Sequence, residues 1–149
     1  MGATNTVKAI TIYCRRVSKD GRVKLLRRVL RNCSWEERSI SSALKSGNVL
    51  KESVSIRIFC ASSGVTYVPP HEWAAMPERA LKNFWTVDLR DEAHPLIVPF
   101  ESDWVPDAGT EAEIARAENA YIRKTPGALR IAEFNDNRQV LGSHIRLRA

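Results

Sequence analysis

Between Lys8 and Trp35, apolar and polar positions alternate in two runs separated by Ser18-Lys19-Asp20-Gly21. Strand side chains point to opposite faces in turn, so Ile10, Ile12 and Cys14 share one face and Thr11, Tyr13 and Arg15 the other. After the turn, Val23, Leu25 and Val29 alternate with Lys24, Leu26, Arg28 and Leu30, giving one apolar face and one mixed face. Asp20-Gly21 supplies the reversal, because glycine takes a positive φ without a Cβ clash. The pattern predicts a β-hairpin with a buried face, opening a small barrel or sandwich.

The same reasoning continues along the chain. Glu37 to Leu44 reads as a short polar strand, and Ser46-Gly47-Asn48 as a turn. Glu52 to Cys60 is the clearest strand, with Val54, Ile56, Ile58 and Cys60 on one face and Ser53, Ser55, Arg57 and Phe59 on the other; its apolar face predicts a central position. Ser62-Ser63-Gly64 breaks the pattern, Tyr67-Val68 extends briefly, and Pro69-Pro70 ends pairing because proline has no donor. Pro70 suits the first turn of a short helix from His71 to about Met76, limited by Pro77. Phe84 to Leu89 and Leu96 to Phe100 read as a second hairpin around Arg90-Asp91-Glu92.

Thr110-Glu111-Ala112-Glu113 has the spacing at which a threonine hydroxyl and a glutamate carboxylate each satisfy a free backbone donor at a helix start. A helix from Thr110 to Lys124 follows, with Ile114, Ala117 and Tyr121 on one stripe, stopped by Thr125-Pro126-Gly127. Ala128 to Phe134 and Ser143 to Arg148 read as closing strands around a loop from Asn135 to Gly142. About six to eight strands and one main helix, about Thr110 to Lys124, predict a β-rich α+β fold. Residues 1–149 form a single domain with one small barrel or sandwich core on this reading.

A domain of 149 residues buries roughly 70% of its unfolded surface and folds without a metal or disulfide. Cys14, Cys33 and Cys60 are an odd set in or beside apolar runs, without metal-ligand spacing, so free thiols in a reducing compartment are expected, with Cys14 and Cys60 packed on apolar strand faces. No run approaches the roughly 20 apolar residues of a membrane span, and Met1 to Ile10 lacks a signal-peptide core. A soluble chain with no membrane partner is expected.

Charge changes the picture more. The net +6 is uneven: residues 1–60 hold 13 Lys or Arg against 4 Asp or Glu, a balance of +9, whereas residues 61–149 hold 10 against 13, a balance of −3. That asymmetry favours a polyanion partner, or head-to-tail contact between copies whose basic and acidic surfaces meet. Arg15, Arg16, Lys24, Arg27, Arg28 and Arg31 lie on the first hairpin, and cations on a β-ribbon neutralise phosphates without reading bases. Tyr13 is the only ring between Met1 and Asn32, which argues against base stacking there. Trp35, Trp73, Trp85 and Trp104 read as core or interface anchors.

Catalytic signals are sparse. The sequence has no Gly-rich phosphate loop, dinucleotide fingerprint or nucleophile elbow. His71, His94 and His144 are isolated, and the partner that a zinc helix needs four residues after His71 is Ala75. Asp88, Asp91, Glu92, Glu101 and Asp103 cluster in sequence, a set that could serve acid–base work or bind a divalent cation, but with no catalytic partner beside them they read as a polar hairpin turn with a solvated rim. The reading therefore names no catalytic residue, no cofactor-binding residue and no metal ligand.

Four pieces, in order, carry a resemblance: Ile10-Thr11-Ile12-Tyr13 with its hairpin and Cys33-Ser34-Trp35; the Phe84 to Phe100 region; the Thr110 to Lys124 helix before a strand; and Asn135-Asp136-Asn137-Arg138 with His144-Ile145-Arg146-Leu147. In these the chain resembles neck proteins of tailed bacteriophages, of the head-completion, head-closure (stopper) or head-tail connector type. The resemblance implies a non-enzymatic virion protein, assembled in the host cytoplasm. It would form a homo-oligomeric ring between the portal or adaptor and the tail proteins, where double-stranded DNA passes or is retained. The six basic hairpin residues would then be a DNA-facing or inter-ring surface. The alternative is a sequence-independent nucleic-acid-binding domain using that hairpin.

Overall fold

The first hairpin forms where the alternation places it: β1 (Thr6–Val17) pairs antiparallel with β2 (Val23–Leu44), and Gly21 sits in the turn at φ 83°. The computed structural model describes residues 6–44, 47–60, 63–90, 94–138 and 144–149. β2 does not stop near Trp35 but continues to Leu44, because β3 (Gly47–Phe59) pairs with it along that whole stretch. Glu37 to Leu44 is thus the second half of β2, and Gly47 and Asn48 belong to β3.

The alternation changes phase inside β2. Lys8 faces Cys33 while Ile10 faces Leu30, so β2 carries one residue more than β1 over that interval, and Asn32 has φ 56°. This is a β-bulge, and it moves the inward positions from even to odd numbers. Leu30 is buried on one side of it and Cys33 and Trp35 on the other, all in the same core.

β3 pairs also with β9 (His144–Arg148), and β9 with β8 (Glu133–Asn137). On the other side of the hairpin, β6 (Leu96–Val98) pairs with β1 and with β7 (Leu129–Arg130). The seven strands, ordered β7-β6-β1-β2-β3-β9-β8, form an antiparallel sheet curled into a half-barrel. Its two edges belong to one run of chain: only Ile131 and Ala132 separate β7 from β8, with Ile131 N–H donating to Pro95 O at 2.9 Å and Ala132 N–H to Arg148 O at 2.7 Å.

Among the described residues, the second hairpin expected between Phe84 and Phe100 does not form: Phe84–Trp85 and Leu96–Val98 are not paired with each other. β5 (Phe84–Trp85) instead pairs in parallel with β4 (Thr66–Tyr67), and Leu96–Val98 joins the main sheet. Arg90 is exposed, and Asp91 and Glu92 lie outside the described residues. Likewise Ala128 to Phe134 is two short strands rather than one, and Asn135 to Asn137 is strand rather than loop.

Among the described residues two α-helices complete the fold, α1 (Pro70–Ala75) and α2 (Glu111–Lys124), with a 3₁₀ turn at Glu78–Ala80. Thr110 Oγ1 accepts from Glu113 N–H at 3.2 Å and Glu113 Oε1 from Thr110 N–H at 3.0 Å, the reciprocal cap that the sequence predicts. The sheet is covered on both faces. Ile10, Ile12, Ile56, Ile58, Ile145 and Leu147 pack with Trp73, Leu81 and Trp85 of the segment bearing α1. On the opposite face Tyr13, Val23, Leu25, Leu96 and Val98 pack against Ile114 and Tyr121 of α2. Each fully buried large side chain contributes about 1.5–3 kcal/mol.

Candidate functional site

The long β2–β3 ladder outruns its neighbours. It keeps one register from Cys33↔Ile58 to Leu44↔Gly47. β1 stops pairing at Trp35, β9 stops at Ser55, and the last bonds on that side join Val54 to Ala149. Glu36–Leu44 and Gly47–Ser53 therefore form a two-stranded arm with no further strand on either edge among the described residues. From Arg38↔Ser53 to Leu44↔Gly47 it reaches about 20–25 Å at the rise of an antiparallel strand. The sequence permits this because Glu36–Leu44 and Gly47–Ser53 hold no proline to interrupt pairing, and Gly47-Asn48 follows the reversal. Ser46 lies outside the described residues.

The six basic hairpin residues are distributed over two faces. Arg16, Lys24 and Arg28 lie on the face of Cys14 and Ile12, since Arg16 faces Lys24 and Ile12 faces Arg28 across the ladder. There they hold the α1 segment. Arg16 donates to Trp73 O at 2.9 Å and Met76 O at 2.6 Å, meeting carbonyls left free at the end of α1. Arg28 donates to Phe84 O at 2.8 Å, Leu81 O at 3.0 Å and Arg27 O at 2.8 Å, and stacks over Trp73. Burial pushes the Arg28 guanidinium below the usual arginine range. Lys24 pairs with Glu78 at 2.8 Å.

Arg15 and Arg27 are on the α2 face, opposite Leu25 and Tyr13 respectively. Arg15 pairs with Glu111 of α2, and one Arg27 Nη atom is buried without a hydrogen-bond partner. Arg31 sits at the bulge, with Glu101 at 3.5 Å. Lys24 and Arg31, with side chains 48% and 58% exposed, are the members of the set that present most charge to solvent.

The carboxylates have separate partners: Asp88 accepts from Arg90, which lowers its pKa, and Glu101 meets Arg31. A more informative carboxyl, Glu118, lies on α2 with 1% of its side chain exposed, 3.6 Å from Arg130, and its Oε1 has no hydrogen-bond partner. Burial raises its pKa, offset by Arg130 and then Arg15. Its spacing signals it: four residues after Ile114 and three before Tyr121, it falls on the same buried stripe of α2, which the reading through Ala117 passed over. A cavity of about 180 Å³ between β1 and α1 is lined by Cys14, Arg16, Trp73, Thr86 and Asp88.

The thiols divide. Cys14 is buried, donates to Thr86 O at 3.4 Å, and is pushed up to about 11 by burial; Cys33 is buried and pushed up to about 12 by the same cause. Cys60, expected on an apolar face, is exposed, because β3 ends at Phe59. His71 is exposed, the His94 carbonyl accepts from Arg130, and His144 lies in β9 with Asn137 at 3.4 Å.

The model of a family of unknown function, DUF6751, matches residues 5–149, so the chain belongs to that family. No curated protein and no solved structure matches it.

Proposed function

We propose that this DUF6751 member is a non-catalytic structural protein of the tailed-phage virion. It forms a ring in the neck that joins the capsid portal or adaptor to the tail and lets DNA pass or be retained. The observation that carries the reading is the arm of Glu36–Leu44 and Gly47–Ser53, whose two outer edges have no strand beside them among the described residues. A two-stranded ribbon is marginal in water and its unpaired edges template association, so such an arm is suited to cover by another chain.

A small barrel-type body with α2 as its main helix is the repeating unit. The balance of +9 in residues 1–60 against −3 in residues 61–149 favours head-to-tail contacts, which close into a ring when the rotation per subunit permits. Lys24 and Arg31, the more exposed of the six basic residues, supply the inter-ring or DNA-facing charge.

Immunogold labelling of tailed particles released by cells carrying this gene tests the reading. Label at the head–tail junction is the expected result. Particles that lack the protein, or carry it elsewhere, overturn it.

A further inference from the structure

We propose that the arm of one copy adds as an extra strand to the free edge of β8 in the next copy. This rests on the reading of the chain as a self-assembling virion protein and names the surface that joins the copies. Strand addition needs two unpaired backbone edges, and the described residues supply both on one chain. One is the arm. The other is β8, which ends the seven-stranded sheet and bonds to β9 on one side only. The arm leaves the body as an unshifted continuation of β2 and β3, whereas β9 and β8 lie beside the opposite end of β3, at Ser55–Phe59. An arm therefore meets the β8 of another copy and not its own.

Composition separates the two edges from the alternatives. Natural edges are guarded by charge, proline or a bulge. Ser39–Leu44 and Gly47–Leu50 contain no charged residue and no proline, and their ladder has no shift. By sequence, the arm holds the cations Arg38 and Lys51 together with Glu36, Glu37 and Glu52 towards its base, while Glu133–Asn137 holds Glu133 and Asp136 and no cation. A register that sets Arg38 or Lys51 beside Glu133 or Asp136, and keeps Glu36, Glu37 and Glu52 away from them, is the one favoured, so charge selects the register of the joint. Glu133 and Asp136 already meet Arg148 at 3.5 Å and Arg138 at 2.7 Å. These pairs are partly exposed, so exchanging them for arm cations costs little. The other sheet edge, β7, is two residues long and offers too few bonds. Arm into β8 is a contact between unlike surfaces, the kind that propagates from copy to copy and closes as a ring.

The test uses the full chain in a Cys60→Ser background, with Ser41→Cys in one preparation and Asn135→Cys in another. Mixed and oxidised, the two are expected to give a disulfide-linked heterodimer, and the doubly substituted chain a ladder of covalent oligomers. Oligomers seen by light scattering without that link, or Ser41→Cys protein linking to itself, overturn the arm–β8 joint and leave the ring reading standing. A chain that stays monomeric at every concentration overturns both. On the unsubstituted protein, amide exchange at Glu133–Asn137 is expected to slow with concentration in step with oligomer formation; exchange there that is unchanged while oligomers form overturns the joint.

Discussion

Arg28 donates from Nε to the carbonyl of Phe84 at 2.8 Å, across 56 residues of sequence. With its further bond to Leu81 O at 3.0 Å, one half-buried guanidinium fastens β2 to the segment that covers the larger core. Lysine cannot span both carbonyls, so Arg28→Lys leaves an acceptor unpaired in a partly buried place. The expected loss is about 2 kcal/mol. Denaturant unfolding that differs from the parent by less than about 0.5 kcal/mol would remove Arg28 from this role.

Gly127 and Gly21 separate backbone strain from collision. Both have left-handed backbones, at φ 86° and 83°, but a Cβ at Gly127 would lie 2.7 Å from Pro99 Cγ, while none of the surrounding atoms comes within 4 Å of one at Gly21. Gly21→Ala is expected to cost about 1 kcal/mol, and Gly127→Ala about 3 kcal/mol because Pro99 must also move. Equal losses for the two substitutions would mean that the ring of Pro99 yields freely.

Glu118 gives a pH dependence of defined sign. Burial holds its carboxyl above the ordinary range, so the folded chain binds that proton more tightly than the unfolded chain does. Its contribution is most favourable below the unfolded pKa and declines as pH rises towards the folded pKa. Glu118→Gln is therefore expected to raise the thermal midpoint at neutral pH, with the advantage vanishing in acid. A variant less stable than the parent at neutral pH would show instead that the attraction of Arg130 outweighs burial.

The thiols offer a test that needs no stability measurement. Cys14 and Cys33, pushed up to about 11 and about 12, are sealed in the core, and Cys60 is exposed. Since the thiolate is the nucleophile, a disulfide reagent at mildly alkaline pH is expected to modify Cys60 promptly and the other two only after unfolding. Prompt reaction of the Cys60→Ser protein would contradict the burial of both remaining cysteines.

Local chemistry made several elements legible. Asp20-Gly21 marked the first turn, Thr110 with Glu113 marked the start of α2, and the alternation through Val54, Ile56 and Ile58 marked β3. The larger errors have one cause each. The bulge at Asn32 reverses the alternation within β2, so its face of Lys24, Leu26, Arg28 and Leu30, mixed in composition, is the one turned to the larger core. The cations on that face looked like a surface because their partners are backbone carbonyls of Trp73, Met76, Leu81 and Phe84, which no residue pattern announces. Trp35 looked like the end of a strand because nothing local says that β3 will escort β2 for nine more residues.

The single run from Leu129 to Asn137 grips both margins of the sheet. A curled sheet with loose margins can unroll strand by strand, but here neither margin frees itself without dragging the other through Ile131 and Ala132. The body is thereby given one fate under load: amides of β6 and β9, far apart in the strand order of the sheet, should become accessible to deuterium together or not at all.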